Sequence, residues 1–458
     1  MKEKLILNIN KIHTTEMGLK RIKNNLYLNN IDPVEFCKNM ILNAKTTVYK
    51  KGKNYYCEAS NIKIMAVNAG SSSLKFKLFE MPEEKVIAEG IFEKIGLSDP
   101  LFKIKYGTIE EKQRVDIKNH QDAVEMLLKV LVDKKIVSKL EEISGVGHRI
   151  LHCGEFYNDS VLMTEESIKN VASVNDLGPL HNPANLMGVD AFMKALPGVP
   201  NVGVFDTSFH LTMEPEAYMY AVPYEWYTKY GVRKYGFHGT SHKYVSKEAA
   251  KFLGKPIEEL RLITCHMGNG VSLAAVKYGK CVDTTMGLTP LDGTPMGTRS
   301  GTLDPAVVSF IASKENLTAA EVVNILNKKS GYLGISGISS DSRDLRAVED
   351  TNELAALVLR MQEKKVADYI GSYYGYMGGA DAIIFTAGIG ENSSETRKAI
   401  CNRLEEAFGI KIDEARNLAA RGHNALISAD DSKIKVLVIP TNEEIMIARD
   451  VMRIGNIK

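Results

Sequence analysis

Two segments of this chain share one design. Residues 64–67 form an apolar run, the small polar stretch Asn68-Ala69-Gly70-Ser71-Ser72-Ser73 follows with Leu74 and Lys75, and residues 76–79 return as an alternating strand. A turn of this kind presents backbone N–H groups and hydroxyls with almost no side-chain bulk, which suits a phosphate. An ordinary hairpin turn has the same composition. What separates the two readings is the second segment. Residues 262–267 form a strand ending in His266 and Met267, Gly268-Asn269-Gly270 make a turn, and residues 271–276 return. Two such hairpins, roughly 200 residues apart, indicate a duplicated fold that grips one nucleotide from two sides. A third Gly-rich element, Gly388-Ile389-Gly390-Glu391-Asn392, follows the apolar strand 382–386. There the backbone can approach a flat or phosphorylated ligand closely.

Charged and polar groups recur at the ends of strands. Arg149 stands at the end of a short strand at 145–150 and could pair an oxyanion bidentately, although a surface salt bridge is the plainer use. Asp206 ends the strand 201–205, where it could serve a site or cap a helix. His238 and His242 stand at i, i+4, a metal-binding spacing on a helix, but Gly236 and Gly239 favour a loop and so argue against zinc. Arg299 lies between Gly297 and Gly301, as an anion clamp or as an exposed turn residue. Asp341, Ser342 and Arg343 fall in a polar, loop-like stretch. No GxxxxGK[ST], no Rossmann GxGxxG and no kinase HRD/DFG set occurs. Two phosphate hairpins, two arginines, a carboxylate and a GxGEN turn together describe phosphoryl transfer, which needs positioning and charge neutralisation more than covalent chemistry.

These groups need a scaffold of ordinary globular composition. The 458 residues, 44% hydrophobic and 25% charged, are enough for at least two domains. A net charge of +2 argues against a dedicated nucleic-acid binder. The cysteines (Cys37, Cys57, Cys153, Cys265, Cys281 and Cys401) are scattered without a CxxC, as expected of reduced thiols in a cytoplasm. The absence of a long apolar run or a signal-like start gives the same expectation, a cytoplasmic protein without a membrane partner. Helical patterns are predicted at 121–137, 318–326, 354–376 and 443–452, with strands between them, so the class is α/β. Residues 1–63 differ from the rest: they are Asn- and Lys-rich and hold twelve Lys/Arg against five Asp/Glu. A weak helix at 32–43 and strands at 46–49 and 54–57 are predicted there.

From residue 64 to about 453 the chain resembles the acetate kinase family, on VNAGSSSLKF, GHRILHCGE, GPLHNPAN, VFDTSFH, YGFHGTSH, CHMGNGVS, TPLDGTPMGTRSG, GISGISSDSRDL, FTAGIGENS and PTNEEIMIARD, in the family's order. The resemblance implies a duplicated ribonuclease-H-like (actin-like ATPase) fold of two lobes with the active site in the cleft. Its N-terminal lobe would be 64–209 completed by 441–458, and its nucleotide-binding lobe 210–440. It implies reversible phosphoryl transfer between ATP and acetate with Mg²⁺, in a homodimer that binds no nucleic acid. Propionate or butyrate kinase is the alternative within the family, and a conformational ATPase the alternative outside it. Asn68 and Glu443 match the magnesium residues, and Ser71, Ser73 and Lys75 the phosphate hairpin. Arg149 matches the acetate arginine and Asp206 the catalytic aspartate, for which orientation is the preferred role, since acetate is already ionised at pH 7. His238 and Arg299 match the residues that stabilise the transferring group, with His181 close by. His266, Met267, Gly268, Asn269 and Gly270 match nucleotide-binding positions, as do Asp341, Ser342, Arg343, Gly388, Ile389, Gly390, Glu391 and Asn392. Leu151, Leu180, Phe237 and Pro290 fall where the family builds its methyl pocket.

Three positions depart from that pattern. Leu151 replaces the usual valine, which predicts a tighter pocket and a preference for acetate over propionate. Cys153 stands where glycine is common, and Gly178 where alanine is usual. The larger departure is 1–63. It resembles the front part of a small uncharacterised bacterial domain, and a basic partner-binding module is a second reading of it.

Overall fold

The computed structural model describes residues 34–35, 37–38, 46–51, 54–59 and 62–457. Strand β3 (Ile62–Gly70) buries Ile64, Met65, Ala66 and Val67 in succession, as a strand covered on both faces must. It pairs antiparallel with β4 (Ser73–Met81) and parallel with β8 (Ile143–Ile150). Strands β5 (Lys85–Glu93), β6 (Leu101–Tyr106) and β7 (Ile109–Arg114) extend the sheet on one side. Strands β10 (Asn201–Phe205) and β9 (Val161–Leu162) complete it on the other.

The second sheet repeats this plan. Strand β11 (Arg261–Met267) pairs antiparallel with β12 (Val271–Lys277) and parallel with β14 (Ala382–Thr386). Beyond these lie β13 (Lys280–Thr284), β16 (Lys435–Val438) and the short antiparallel β15 (Ala425–Leu426). The order β5-β4-β3-β8-β10-β9 in one sheet matches β13-β12-β11-β14-β16-β15 in the other, with the same parallel and antiparallel pairings. Each sheet has its own apolar core. In both sheets the site-bearing hairpin joins the central antiparallel pair, β3–β4 and β11–β12.

Helices α1 (His120–Asp133), α2 (Asn182–Ala195) and α3 (Gly239–Leu253) cover these sheets, α4 (Ala306–Glu315) packs on α5 (Ala319–Lys328), α6 (Ser342–Arg346) packs on α7 (Glu353–Met377), and α7, α8 (Ala387–Asn392) and α9 (Glu443–Ile454) complete the cover. Helix α5 starts at a capping box, Thr318 with Glu321, the signal present in its sequence. The final helix, α9, returns to the first sheet. Gly147 of β8 makes room for it, since a Cβ there would lie 2.3 Å from Ile447.

The structure corrects several local expectations. The first turn is tighter than predicted: β3 runs on through Asn68, Ala69 and Gly70, and only Ser71 and Ser72 turn. The HGTSH stretch is the start of α3, not a loop, with His238 at its N-cap. Helices α6 and α8 occupy stretches predicted as loop and turn. In α8 two glycines lower the intrinsic helix propensity. The helix forms because the Glu391 carboxylate accepts from the Ala387 N–H at its first turn, at 2.8 Å.

In the N-terminal extension, β1 (Thr46–Lys51) and β2 (Asn54–Ala59) pair antiparallel. Residues 34–35 and 37–38 are helical; the rest of the helix predicted at 32–43 lies outside the described residues. Among the described residues no helix is long and apolar enough to cross a membrane.

Candidate active site

Strand register brings the first set of groups together. Asn68 and Lys75 are direct cross-strand partners on β3 and β4, so their side chains leave the same face. Arg149 comes from β8 beside them and Glu443 from the first turn of α9. All four line one cavity of about 290 Å³. Asp206 follows β10, the next strand over. Its carboxylate takes Nε and Nη2 of Arg149 at 3.1 and 2.5 Å, and Glu443 approaches Nε at 3.7 Å. Asp206 is the buried partner, 1% exposed, and Arg149 the open one, 26%. Asp206 and Glu443 together drive the Arg149 guanidinium above its ordinary value, so it is a permanent cation. Burial pushes the Asp206 carboxyl up against the pull of Arg149, and Glu443 adds to the push. Arg149 therefore stands as a pre-oriented fork whose side edge is filled by Asp206, while Nη1 has no hydrogen-bond partner among the described residues.

The second set comes from the other sheet. His238 sits at the N-cap of α3 with φ +57°, a left-handed conformation that costs a non-glycine residue of order 1–3 kcal/mol. Gly239 allows the close approach behind it: its N–H donates to the Asp206 carbonyl at 2.9 Å, and a Cβ there would meet that oxygen at 2.3 Å. The His238 ring stacks on His266, centroids 4.1 Å apart. Burial, reinforced by the His266 ring, lowers the proton affinity of His238 well below the ordinary histidine range, and burial holds His266 at about 4. A Cβ on Gly270 would lie 3.3 Å from both His238 Nε2 and Arg299 Nη1, so the β11–β12 turn, the ring and the guanidinium converge. Arg299 donates to the Pro290 carbonyl at 3.3 Å. Among the described residues no carboxylate forms an ion pair with Arg299. His181, just before α2, has its proton affinity lowered by burial and by Arg149 and Arg299, which places it near the same charges.

A larger cavity, about 840 Å³, lies beyond the β11–β12 turn. Gly268, Asn269, Asp341, Ser342, Arg343, Gly388, Ile389 and Asn392 line it. Asp341 and Arg343 pair with each other at its wall, two residues apart at the start of α6. Glu391 and Gly390 do not line this cavity: the Glu391 carboxylate turns inward to accept from Ala387 and Thr441 N–H. Ser71 and Ser73 stay at the first turn, where a Cβ on Gly70 would meet Ser73 Oγ at 2.9 Å. Leu151 and Phe237 share one buried cluster with Met267. Leu180, in contrast, is 73% exposed, so it walls nothing in this structure. A Cβ on Gly178 would lie 3.2 Å from Leu151 Cδ2, so the two departures from the family pattern touch.

The residues that hold this frame were not singled out from sequence. Asn185 accepts from Leu151 N–H and donates to the Ala69 carbonyl at 2.6 Å, tying the end of β3 to the end of β8. Asn182 brackets His152 through both backbone groups. His120 reaches the Gly70 carbonyl at 2.7 Å. The signal for Asn182 and Asn185 was present in the HNPAN stretch, as polar side chains on a helix N-terminus that packs inward.

Comparison with known proteins agrees with this geometry. Residues 63–449 match the model of the acetokinase family. The chain belongs to the acetokinase family. It is 55% identical to the acetate kinase of Geobacillus sp. (strain WCH70) over 396 residues, which is 86% of this chain and 99% of that one. Among solved acetokinase-like structures, Porphyromonas gingivalis acetate kinase superposes with a TM-score of 0.83 at 46% identity, covering 86% of this chain and 100% of that one. A propionate kinase from Francisella tularensis gives 0.80 at 38% identity, covering 86% and 99%. The paired sheets are thus the two lobes of the duplicated actin-like fold of acetokinases. Residues 6–74 match a second family model, described only as a protein of unknown function (DUF3781), which overlaps the start of the acetokinase match.

Proposed function

We propose that this acetokinase-family chain is an acetate kinase: it transfers the γ-phosphoryl group of ATP to acetate, reversibly, giving acetyl phosphate and ADP. The observation that carries the reading is the convergence of Arg149 with Asp206 on one wall and His238 with Arg299 on the other, in a chain 55% identical to an acetate kinase over 99% of that relative. A conformational ATPase has no need of a caged arginine beside its phosphate site.

The chemistry follows from the donors. Arg149 holds the acetate carboxylate, and Asp206 holds Arg149. A carboxylate oxygen attacks the γ-phosphorus, the bond to the β-bridging oxygen breaks, and that oxygen leaves with the electron pair on ADP. The loose transition state spreads charge over three equatorial oxygens. Arg299, an uncompensated cation, and His238 lie where that charge develops. His181 lies close enough to Arg149 and Arg299 to take part in substrate binding. The hairpin residues Ser71, Ser73 and Lys75 serve the β- and γ-phosphates, and the larger cavity takes the rest of the nucleotide.

Asn68 and Glu443 fit Mg²⁺. They supply hard oxygen donors on one cavity, and among the described residues no cluster of three or more His, Cys, Asp or Glu would cage a metal without substrate. Magnesium commonly binds in this way, through one or two protein oxygens plus phosphates and water. When bound, it would neutralise phosphate charge.

We read the lobes as 64–209 with 441–458, and 210–440. A homodimer belongs to the same reading: Leu354, Leu357 and Met361 form an exposed apolar stripe along α7 that a second copy would cover. Acetate-dependent formation of ADP from Mg-ATP, run beside propionate and butyrate, tests the function. Turnover that ignores acetate would overturn it, and equal efficiency on propionate would favour the propionate kinase reading.

A further inference from the structure

Behind His238 the hydrogen bonds continue into the protein. His238 Nδ1 lies 2.8 Å from Ser272 Oγ, and the same oxygen lies 2.8 Å from His242 Nε2. His242 Nδ1 lies 2.7 Å from Thr264 Oγ1. Ser272, His242 and Thr264 are completely buried. The chain ends at the Ala274 carbonyl, 3.4 Å from Thr264 Oγ1, at the edge of hydrogen-bond range.

A serine hydroxyl has one proton. Ser272 cannot donate to both imidazoles, so the ring that does not receive its proton must donate one to Oγ. With neutral rings, and with the buried Ser272 proton given to one of the two rings that are its hydrogen-bond partners, the chain has two polarities. In the first, Thr264 donates to His242 Nδ1, His242 Nε2–H donates to Ser272, and Ser272 donates to His238 Nδ1. The proton of His238 is then on Nε2. In the second, every bond reverses and Nε2 is a bare lone pair. The first polarity places the Thr264 proton in the 2.7 Å contact; the second spends it on the 3.4 Å one. Only the first suits the cleft, because Nε2 faces the same turn as Arg299, where a phosphoryl oxygen needs a donor.

We propose that Ser272 is a positioning residue for phosphoryl transfer: backed by His242 and Thr264, it donates to His238 Nδ1 and keeps the proton of the neutral ring on Nε2, aimed at the transferring group. The proposal rests on the reading that His238 touches that group. It makes His238 a neutral donor, so binding the phosphoryl group takes up no proton there. The lowered proton affinity of the ring, caused by burial and by His266, His242, Arg149 and Arg299, agrees with this.

Nuclear magnetic resonance on the full chain, labelled with ¹⁵N-histidine, tests it. The His238 signals are those lost in His238→Gln. The wild-type ring is expected neutral and protonated at Nε2. In Ser272→Ala that preference is expected to relax toward Nδ1, with kcat down about 10–100-fold and both KM values within about twofold. Ser272→Thr, which keeps the hydroxyl, should restore both readouts. Thr264→Val, which removes only the far donor, should shift the tautomer in the same direction if Ser272→Ala does not fold. A wild-type ring protonated at Nδ1, or a tautomer unmoved in the folded variants, overturns the role of Ser272. A fully active His238→Ala enzyme, which has no donor there, instead overturns the phosphoryl contact of His238, so the two failures are distinct.

Discussion

At the scale of the residue, burial decides which charges are structural and which are available. Asp206 is enclosed and spends both oxygens on Arg149; Arg299 has no carboxylate partner among the described residues. Arg299→Ala should therefore lower kcat by about 10²–10³ with the fold intact, the usual loss for one transition-state donor. Asp206→Ala should raise the KM for acetate as well as lower kcat, because it frees Arg149 to rotate. Steady-state kinetics with a circular-dichroism check of folding separate these outcomes from misfolding. Near-normal turnover in either variant would refute its assigned role. The methyl pocket yields a sharper case. Leu151 reads from sequence as a larger side chain that narrows the pocket. In the structure its Cδ2 fills the space beside Gly178. Gly178→Ala should push Leu151 back toward Phe237 and raise the preference for acetate over propionate about 10-fold, a typical value for one methylene. Unchanged relative kcat/KM on the two acids would show that the pocket absorbs the methyl group elsewhere.

At the scale of the element, α9 and the residues just ahead of it join the two lobes through specific contacts. Thr441 lies just ahead of α9. Its N–H donates to Glu391 of α8 at 3.0 Å, and its hydroxyl meets Ser241 of α3 at 2.7 Å. Glu443 follows two residues later, so this carboxylate of the smaller cavity is anchored from the second lobe. Farther along α9, Arg453 binds Asp159, which also meets Lys243 of α3 at 3.2 Å. Burial pushes the Asp159 carboxyl up, but Arg453 and Lys243 overcome it and hold it at about 2. A carboxylate depressed in the folded state stabilises above its unfolded value, about 3.9, and loses that contribution as pH falls toward the folded value. Asp159→Asn should thus be less stable than wild type in urea at pH 7. The difference should narrow below about pH 4. A gap that stays constant with pH would mean the lost stability is not ionic. Elements with local signals, such as the capped α5 and the apolar β14, were legible in the sequence. Helix α8 was not, because its Gly-rich run forms a helix only with Glu391 folded back onto its first turn.

At the scale of the molecule, the acetokinase fold is complete without the extension. The relatives align over 99–100% of their own length with 86% of this chain. Strand β2 ends at Ala59 and β3 begins at Ile62, so the β1–β2 hairpin joins the phosphate-hairpin strand almost without slack. A chain beginning at Ile62 should retain kcat and both KM values within about twofold, since among the described residues none before β3 lines either cavity. A tenfold change would assign residues 1–61 a regulatory role, and a pull-down with both chains would then identify what they contact.

Sequence alone determined the duplicated hairpins, the elements with strong local signals, the motifs that carry the family, and which arginines and carboxylates are candidates for the chemistry. These depend on local chain geometry and on residue type. Tertiary structure decided what each group faces. Register set Lys75 beside Asn68, burial turned Asp206 onto Arg149 and Glu391 away from the larger cavity, and a missing Cβ at Gly178 made room for Leu151. Such contacts join residues tens to hundreds of positions apart, and no pattern along the chain encodes which faces will meet.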